Sequence, residues 1–115
     1  MRNFENLRIW QDSQLICREI YNLFASSKDF GLKDQIQRAS VSISNNIAEG
    51  CESGSDKLFA RYLQIAKGSC AEVKSMLYLS EDLGYCNKPQ GDELRNKINQ
   101  IIFGIQKMLS YLNGR

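Results

Sequence analysis

A chain of 115 residues with 43% hydrophobic and 24% charged side chains has the composition of one globular domain and is long enough to bury a core. Its single proline and eight glycines argue against disorder and against an all-β fold. The net charge of +2 does not by itself indicate nucleic acid, and the lack of histidine removes the commonest general base and metal ligand. No apolar run reaches the roughly 18 residues that span a membrane, and the polar start has no signal-peptide core. We therefore expect a cytoplasmic protein without a cofactor.

The four cysteines are widely spaced and include no Cys-x-x-Cys pair: Cys17, Cys51, Cys70 and Cys86. A zinc site would require closer pairs or histidines. Buried, reduced thiols are therefore the better prediction in a chain without an export signal, and we expect no metal site.

Apolar residues recur at helical spacing in four segments of what we expect to be a single domain, 1–115. Short connections make successive helices antiparallel neighbours. The predicted fold class is therefore all-α, an antiparallel up-down-up-down four-helix bundle. The predicted helices cover about residues 5–26, 32–52, 56–83 and 89–112.

Each predicted helix has one face that is apolar enough to point into the core. Gly31 is expected to take a positive φ in the first turn, Gly50 and Gly54 to break the second helix, and Gly84 to end the third. The inward residues are Trp10, Cys17, Tyr21 and Phe24, flanked by Ile9, Ile16, Ile20 and Leu23; Leu32, Ile36, Ala39, Ile43 and Ile47; Phe59, Leu63, Ala66, Cys70, Val73 and Leu77; and Leu94, Ile98, Ile101, Ile105, Met108, Leu109 and Leu112.

The third helix carries a second apolar row, offset from its core face by more than a quarter turn. On the fourth helix, Phe103 also points away from the core. A row of this length is typical of a subunit interface rather than of scattered surface residues. We therefore predict a homo-oligomer whose interface includes Leu58, Ile65, Met76, Leu79, Leu83 and Phe103.

A polar stripe lies beside the apolar face of the second helix: Gln35, Arg38, Ser42, Asn46 and Glu49. Polar groups next to a core need partners, and Arg38 and Glu49 are three turns apart, too far to pair with each other. Glu72 on the third helix is a candidate partner for Arg38. A catalytic site using Glu49 and Glu72 is the alternative, but a di-iron bundle needs Glu-x-x-His pairs, and hydrolysis by two carboxylates needs a cleft. We favour a structural polar network.

The residues around this stripe resemble the bacterial four-helix-bundle family named for 23S ribosomal RNA intervening sequences. The similarity covers nearly the whole chain, and the Asn-Ile-Ala-Glu-Gly block with a downstream Gly-Ser is its most specific part. It rests on Phe4, Leu7 and Trp10; on Gly31-Leu32, Gln35-Ile36, Arg38-Ala39, Ser42-Ile43 and Asn46-Ile47-Ala48-Glu49-Gly50; and on Phe59, Tyr62-Leu63, Ile65-Ala66, Gly68-Ser69, Glu72 and Leu83-Gly84-Tyr85.

This resemblance implies a ring-like homopentamer, with no established activity for most members. A similar fold is that of the accessory variability protein of diversity-generating retroelements, in which a basic ring binds nucleic acid and a reverse transcriptase. Gln37 and the turn at 51–55 lack arginines that many members carry, which reduces the charge available for that role.

Positive charge is concentrated on the third and fourth helices, where it could displace counterions from phosphates. Repeating a modest patch around a ring would produce a basic belt. We therefore predict sequence-nonspecific RNA or DNA binding through Lys57, Arg61, Lys67, Lys74, Arg95, Lys97 and Lys107.

The competing interpretation is a scaffold or accessory subunit that binds another protein and no nucleic acid. Such binding would depend little on salt, whereas binding to phosphates would weaken steeply as salt rises. An enzyme is the least favoured class, because the sequence shows no nucleophile–base pair and no phosphate-binding loop.

Overall fold

Four α-helices and one short 3₁₀ turn make up residues 3–114, the part of the chain that the computed structural model describes. Residues 1, 2 and 115, the ends of the predicted domain, lie outside that range. The described residues contain no strand, as the sequence predicts. The turn is Phe4–Asn6, and the helices are α1 (Arg8–Leu23), α2 (Phe30–Glu52), α3 (Asp56–Asp82) and α4 (Lys88–Asn113).

Side-chain caps determine where three of the helices begin. The Asp29 side chain accepts a hydrogen bond from the Leu32 amide at the start of α2, and Ser55 does the same at the start of α3. At α4, Asn87 and Gln90 form a reciprocal capping box ahead of a proline in the first turn. Because Asp29 caps α2, Gly31 lies inside the helix, and the prediction of a positive φ there was wrong. Only Gly54 and Gly84 have positive φ among the described glycines.

The core of α2, α3 and α4 is formed by the predicted faces, with Met108 half-buried at its edge. On α1 the prediction was partly wrong. Tyr21 is 43% exposed, Trp10 and Cys17 are half-buried, and the inward row runs through Ile9, Ile16 and Ile20 instead. Ser13 interrupts this row, which is why the sequence pattern did not reveal it. The Ser13 Oγ donates to the Ile9 carbonyl oxygen at 2.6 Å, so the hydroxyl can be buried.

The first helix is shorter than the prediction of about 5–26. At its start, Phe4–Asn6 form a separate turn, and Leu7 is extended with ψ 125°. At its end, Phe24 leaves the helical region with ψ 8°, and the chain continues in a turn. The sequence pattern extends beyond the helix because Phe24 still packs into the core.

The helices pack around a square, in which α1 and α3 each contact α2 and α4, and the described residues show no contact across either diagonal. Gly50 near the end of α2 lies beside Phe59 and Tyr62 near the start of α3, and Ser42 bonds to Ser69 further along. These contacts are consistent with antiparallel neighbours. Gly50, expected to break α2, is instead a buried packing residue inside it. No helix in the range 3–114 is both long and apolar enough to cross a bilayer.

Replacing Gly50 by alanine is expected to destabilise the bundle by about 1–3 kcal/mol through overpacking. A Cβ at this position would lie 2.7 Å from the Tyr62 Cβ and 3.3 Å from the Phe59 Cα, and a backbone atom cannot move aside cheaply. The control is Gly68→Ala on α3, where a Cβ meets nothing within 4 Å and helix propensity favours alanine by about 0.5–1 kcal/mol. Urea unfolding followed by circular dichroism measures both; equal effects at the two positions would contradict the packing role of Gly50.

Candidate oligomer and nucleic-acid interface

The second apolar row of α3 is exposed along most of its length. Glu72 interrupts it at the same seven-residue spacing and is exposed as well. Met76 was wrongly assigned to this surface: it is 8% exposed, because its flexible side chain packs into the core cluster. Phe103 is 62% exposed but lies on α4 beside α1, so it belongs to a different surface. The exposed members of the row, which we call the α3 row, are Leu58 (45%), Ile65 (46%), Leu79 (47%) and Leu83 (50%).

The polar stripe of α2 does not form the predicted buried network. Arg38 donates to Asp34 at 2.9 Å rather than pairing with Glu72, and its side chain is 79% exposed. Gln35 and Glu49 are exposed too. A helical position beside the apolar face can still reach water, so such a position need not be buried.

A small hydrogen-bonded group remains in the middle of the stripe. Asn46 donates to the Ser42 carbonyl at 2.8 Å and to its Oγ at 2.9 Å, and Ser69 of α3 donates to the same Oγ at 2.9 Å. Ser42 thereby links α2 to α3 through hydrogen bonds between short side chains. This group is smaller than the predicted network.

Four of the predicted phosphate-binding cations lie on α3 and form no ion pair with any residue in 3–114: Lys57, Arg61, Lys67 and Lys74. Lys57 and Arg61 are exposed, and Lys67 and Lys74 are half-buried. Because the same helix carries the α3 row, apolar and cationic surface occur together on one element.

Arg95 was wrongly predicted as a nucleic-acid contact, because its side chain is only 5% exposed. Its guanidinium bonds to Glu81 of α3 and, at 2.6 Å, to Asp92, and it lies 3.9 Å from the centroid of the Tyr78 ring. Gly91 leaves the space for this cluster, since a Cβ there would lie 2.5 Å from Glu81 Oε2. Arg95 is therefore a buried connection between α3 and α4.

The charge of Asp92 contributes to this connection. Hydrogen bonds from Lys88 and from Arg95 hold the pKa of Asp92 below its ordinary value. A lowered folded-state pKa means that the contribution is present at neutral pH and is lost only as the pH falls through the lowered pKa. Asp92 is therefore charged at neutral pH.

The other two predicted cations of α4 are partly engaged. Lys97 bonds to Glu19 of α1 at 2.6 Å and lies 3.3 Å from Glu93, and the hydrogen bond with Glu19 raises the pKa of Lys97. Lys107 lies 5.4 Å from the Phe103 ring centroid and has no carboxylate partner in the described range. Of the seven predicted cations, only Arg95 is withdrawn from solvent entirely.

Comparison with known proteins relates this geometry to a family. The family model for the 23S rRNA-intervening sequence protein matches residues 5–110. The chain belongs to that family. A solved structure from Bacteroides thetaiotaomicron, a protein of unknown function from the S23 ribosomal protein family, superimposes with a TM-score of 0.82 at 25% identity. The alignment covers 88% of this chain and 97% of that one. No curated protein matches significantly.

The signature residues of the family have structural roles in this chain. Ile47 is fully buried, Asn46 bonds to Ser42, and Gly50 admits the rings of α3. In the downstream Gly-Ser pair, Ser69 supplies the hydroxyl that reaches α2. The block that makes the sequence recognisable is therefore largely the surface on which α2 and α3 pack.

One surface of the bundle was not predicted from the sequence. A groove of about 710 Å³ runs between the start of α1 and the end of α4. Leu7 and Met108 lie in it half-buried, Phe103 forms one wall, and Lys107 and Arg8 lie at the rim. Gly104 lets α1 and α4 lie close together at the groove, since a Cβ at this position would lie 2.6 Å from Ile9 Cγ2. In the sequence, the only sign of this groove was Phe103. The pattern of α4 alone could not predict that Phe103 lies beside α1.

The carboxylate alternative gains no support from the geometry. Glu49 lines a groove with Glu52 and Tyr62, but Glu72 is not part of it. Across residues 3–114, no three Cys, Asp or Glu side chains converge in a way that could hold a metal ion. Cys51, Cys70 and Cys86 are buried, and burial raises the pKa of the Cys70 thiol to about 12, so the thiolate is scarce.

Arg95→Met is expected to destabilise the fold by about 3 kcal/mol, because it leaves Glu81 partly buried without its cation. Arg38→Met is the matched control, since it removes an exposed pair between neighbouring turns and is expected to change stability by less than about 0.5 kcal/mol. Urea unfolding at neutral pH measures the difference. Equal stability of the two variants would show that the Arg95 cluster does not hold α3 against α4.

Proposed function

We propose that this chain is a non-catalytic bundle that assembles into a ring-like homo-oligomer, a homopentamer by resemblance to its family, and binds RNA or DNA without sequence preference. The observation that carries the proposal is α3 itself, which carries both the α3 row, 45–50% exposed, and four cations without partners in the described range. We expect this assembly to be cytoplasmic and to need no cofactor.

Self-association is supported by the length and continuity of the α3 row. Single exposed leucines are ordinary on a protein surface, but the row extends over the 26 residues from Leu58 to Leu83, most of α3 and its C-cap. Burying its members against a neighbouring copy removes apolar area from water at about 25 cal/mol per Å². A single copy has no helix left to cover them, because α2 and α4 already pack on the other sides of α3.

Nucleic-acid binding is supported by the cations on the same helix. Lys57 and Arg61 are free to move toward phosphates, because no carboxylate in the described range holds them. Two to four charges per copy give weak binding, but a ring presents them several times to one strand. The family name refers to a 23S rRNA intervening sequence; it does not identify a ligand.

A protein-binding scaffold is the second candidate, and the burial of the Arg95 side chain favours it. With Arg95 buried and Lys97 paired to two carboxylates, α4 contributes less positive charge than the sequence predicts. The apolar surfaces would then be the functional ones, and a partner protein would replace nucleic acid.

Light scattering and fluorescence anisotropy test the proposal together. We expect a mass several times the 13.2 kDa of one chain, and micromolar binding of generic RNA and DNA at low salt that weakens steeply as salt is added. A mass near 13.2 kDa would refute the ring. An assembled protein with no binding at micromolar concentration would refute the nucleic-acid role and leave the scaffold.

The double variant Lys57→Gln/Arg61→Gln is expected to reduce the salt slope of binding by about 2 for each copy that contacts the strand. Arg38→Gln/Lys88→Gln changes the net charge equally but removes cations that are already paired with carboxylates, so it is expected to change the slope little. Equal loss in both variants would mean that net charge, and not the surface of α3, determines binding.

A further inference from the structure

The α3 row and the groove between α1 and α4 lie on opposite edges of the bundle. Because α1 and α3 are diagonal in the square, the α2–α3 edge faces away from the α4–α1 edge. Ser69 lies on the row's side of α3 and bonds to Ser42 of α2, which places the row toward α2. Tyr78, on the other side of α3, contacts Arg95 of α4.

The two surfaces are complementary in shape. The α3 row is a ridge of side chains that project from the outside of one helix, with Leu58, Ile65 and Leu79 spaced seven residues apart. The groove is a depression of about 710 Å³ with an apolar wall at Phe103 and a floor at Gly104. A ridge pressed on an identical ridge would leave the groove open, whereas a ridge placed in the groove covers the groove and the part of the row that enters it.

The two surfaces are also complementary in charge. The row includes one acid, the exposed Glu72, which has no cation partner within the described residues. The groove has Lys107 at its rim, with no carboxylate partner in the same range. Arg8 also lines the groove and lies 3.6 Å from Asp12, the one carboxylate among the lining residues, so Lys107 is the cation left for a partner. If only apolar side chains covered Glu72, its carboxylate would be buried without a partner. The surface that covers it must therefore carry a cation.

We propose that the α3 row of one copy docks into the α1–α4 groove of the next copy, with Glu72 opposite Lys107. This inference rests on the proposed self-association and specifies its contact. The contact is head-to-tail, because each copy uses two different surfaces. Such contacts leave one free row and one free groove after every addition, until the chain of copies closes on itself.

Two single variants with opposite defects test the pairing. Leu79→Glu places a charge on the row, and Phe103→Glu places one in the groove. Because both positions are exposed, we expect both variants to fold, and circular dichroism checks this. Each variant alone is expected to be monomeric in sedimentation velocity. An equimolar mixture is expected to form a heterodimer of about twice 13.2 kDa and nothing larger, because only one intact row and one intact groove remain.

The outcomes separate the pairing from the self-association on which it rests. If Phe103→Glu assembles like the parent protein, the row pairs with something other than the groove, and the proposal is overturned. The same holds if both variants are monomeric but their mixture forms no heterodimer at about 100 µM. A monomeric parent protein refutes the self-association itself.

The charge pair has its own test. Glu72→Lys is expected to weaken assembly at least tenfold, and adding Lys107→Glu to the same chain is expected to restore most of it. Asp34→Lys, which changes the charge by the same amount at an exposed position of α2, is expected to have little effect. Failure of the double variant to recover any assembly would place Glu72 opposite another group and overturn this part of the proposal.

Discussion

The close packing of α2 against α3 is the constraint on which the rest of the structure depends. At one end, Gly50 leaves so little room that a Cβ would lie 2.7 Å from the Tyr62 Cβ. Further along, Ser69 donates to Ser42 at 2.9 Å. The first contact determines how near the helices lie, and the second restricts the rotation of α3 about its own axis. With distance and rotation both fixed, the side chains that α3 presents outward are fixed as well.

That rotation explains why one helix carries both features of the candidate interface. Phe59 and Ala66 fill the core, so Leu58 and Ile65, each one residue earlier in the chain, point outward. A helix with apolar residues on two faces can bury only one of those faces within a single bundle. The signature block that identifies the family therefore acts through packing, and the exposed row is a consequence of that packing rather than a separate device.

The sequence predicted α2, α3 and α4 well because their core rows are unbroken and mostly aliphatic. It failed on α1, where the serine at position 13 interrupts the true row, and Tyr21 is amphipathic enough to suit either side. The burial of Arg95 could not be foreseen, since it depends on Glu81 fourteen residues earlier and on the space that Gly91 leaves. The groove was hidden for the same reason: it belongs to two helices that are far apart in the chain.

The loss of Arg95 from the basic surface makes nucleic-acid binding depend on assembly. In one copy, Lys57 and Arg61 are near each other, but Lys74 lies more than three turns away along α3. At physiological salt the field of a single cation is screened within about 8 Å, so these charges act separately on a monomer. In an assembly, cations from several copies can contact one strand at the same time, which a monomer cannot offer. A monomeric form of the protein is therefore a poor nucleic-acid binder on electrostatic grounds, and oligomerisation is the step from which any such activity would follow.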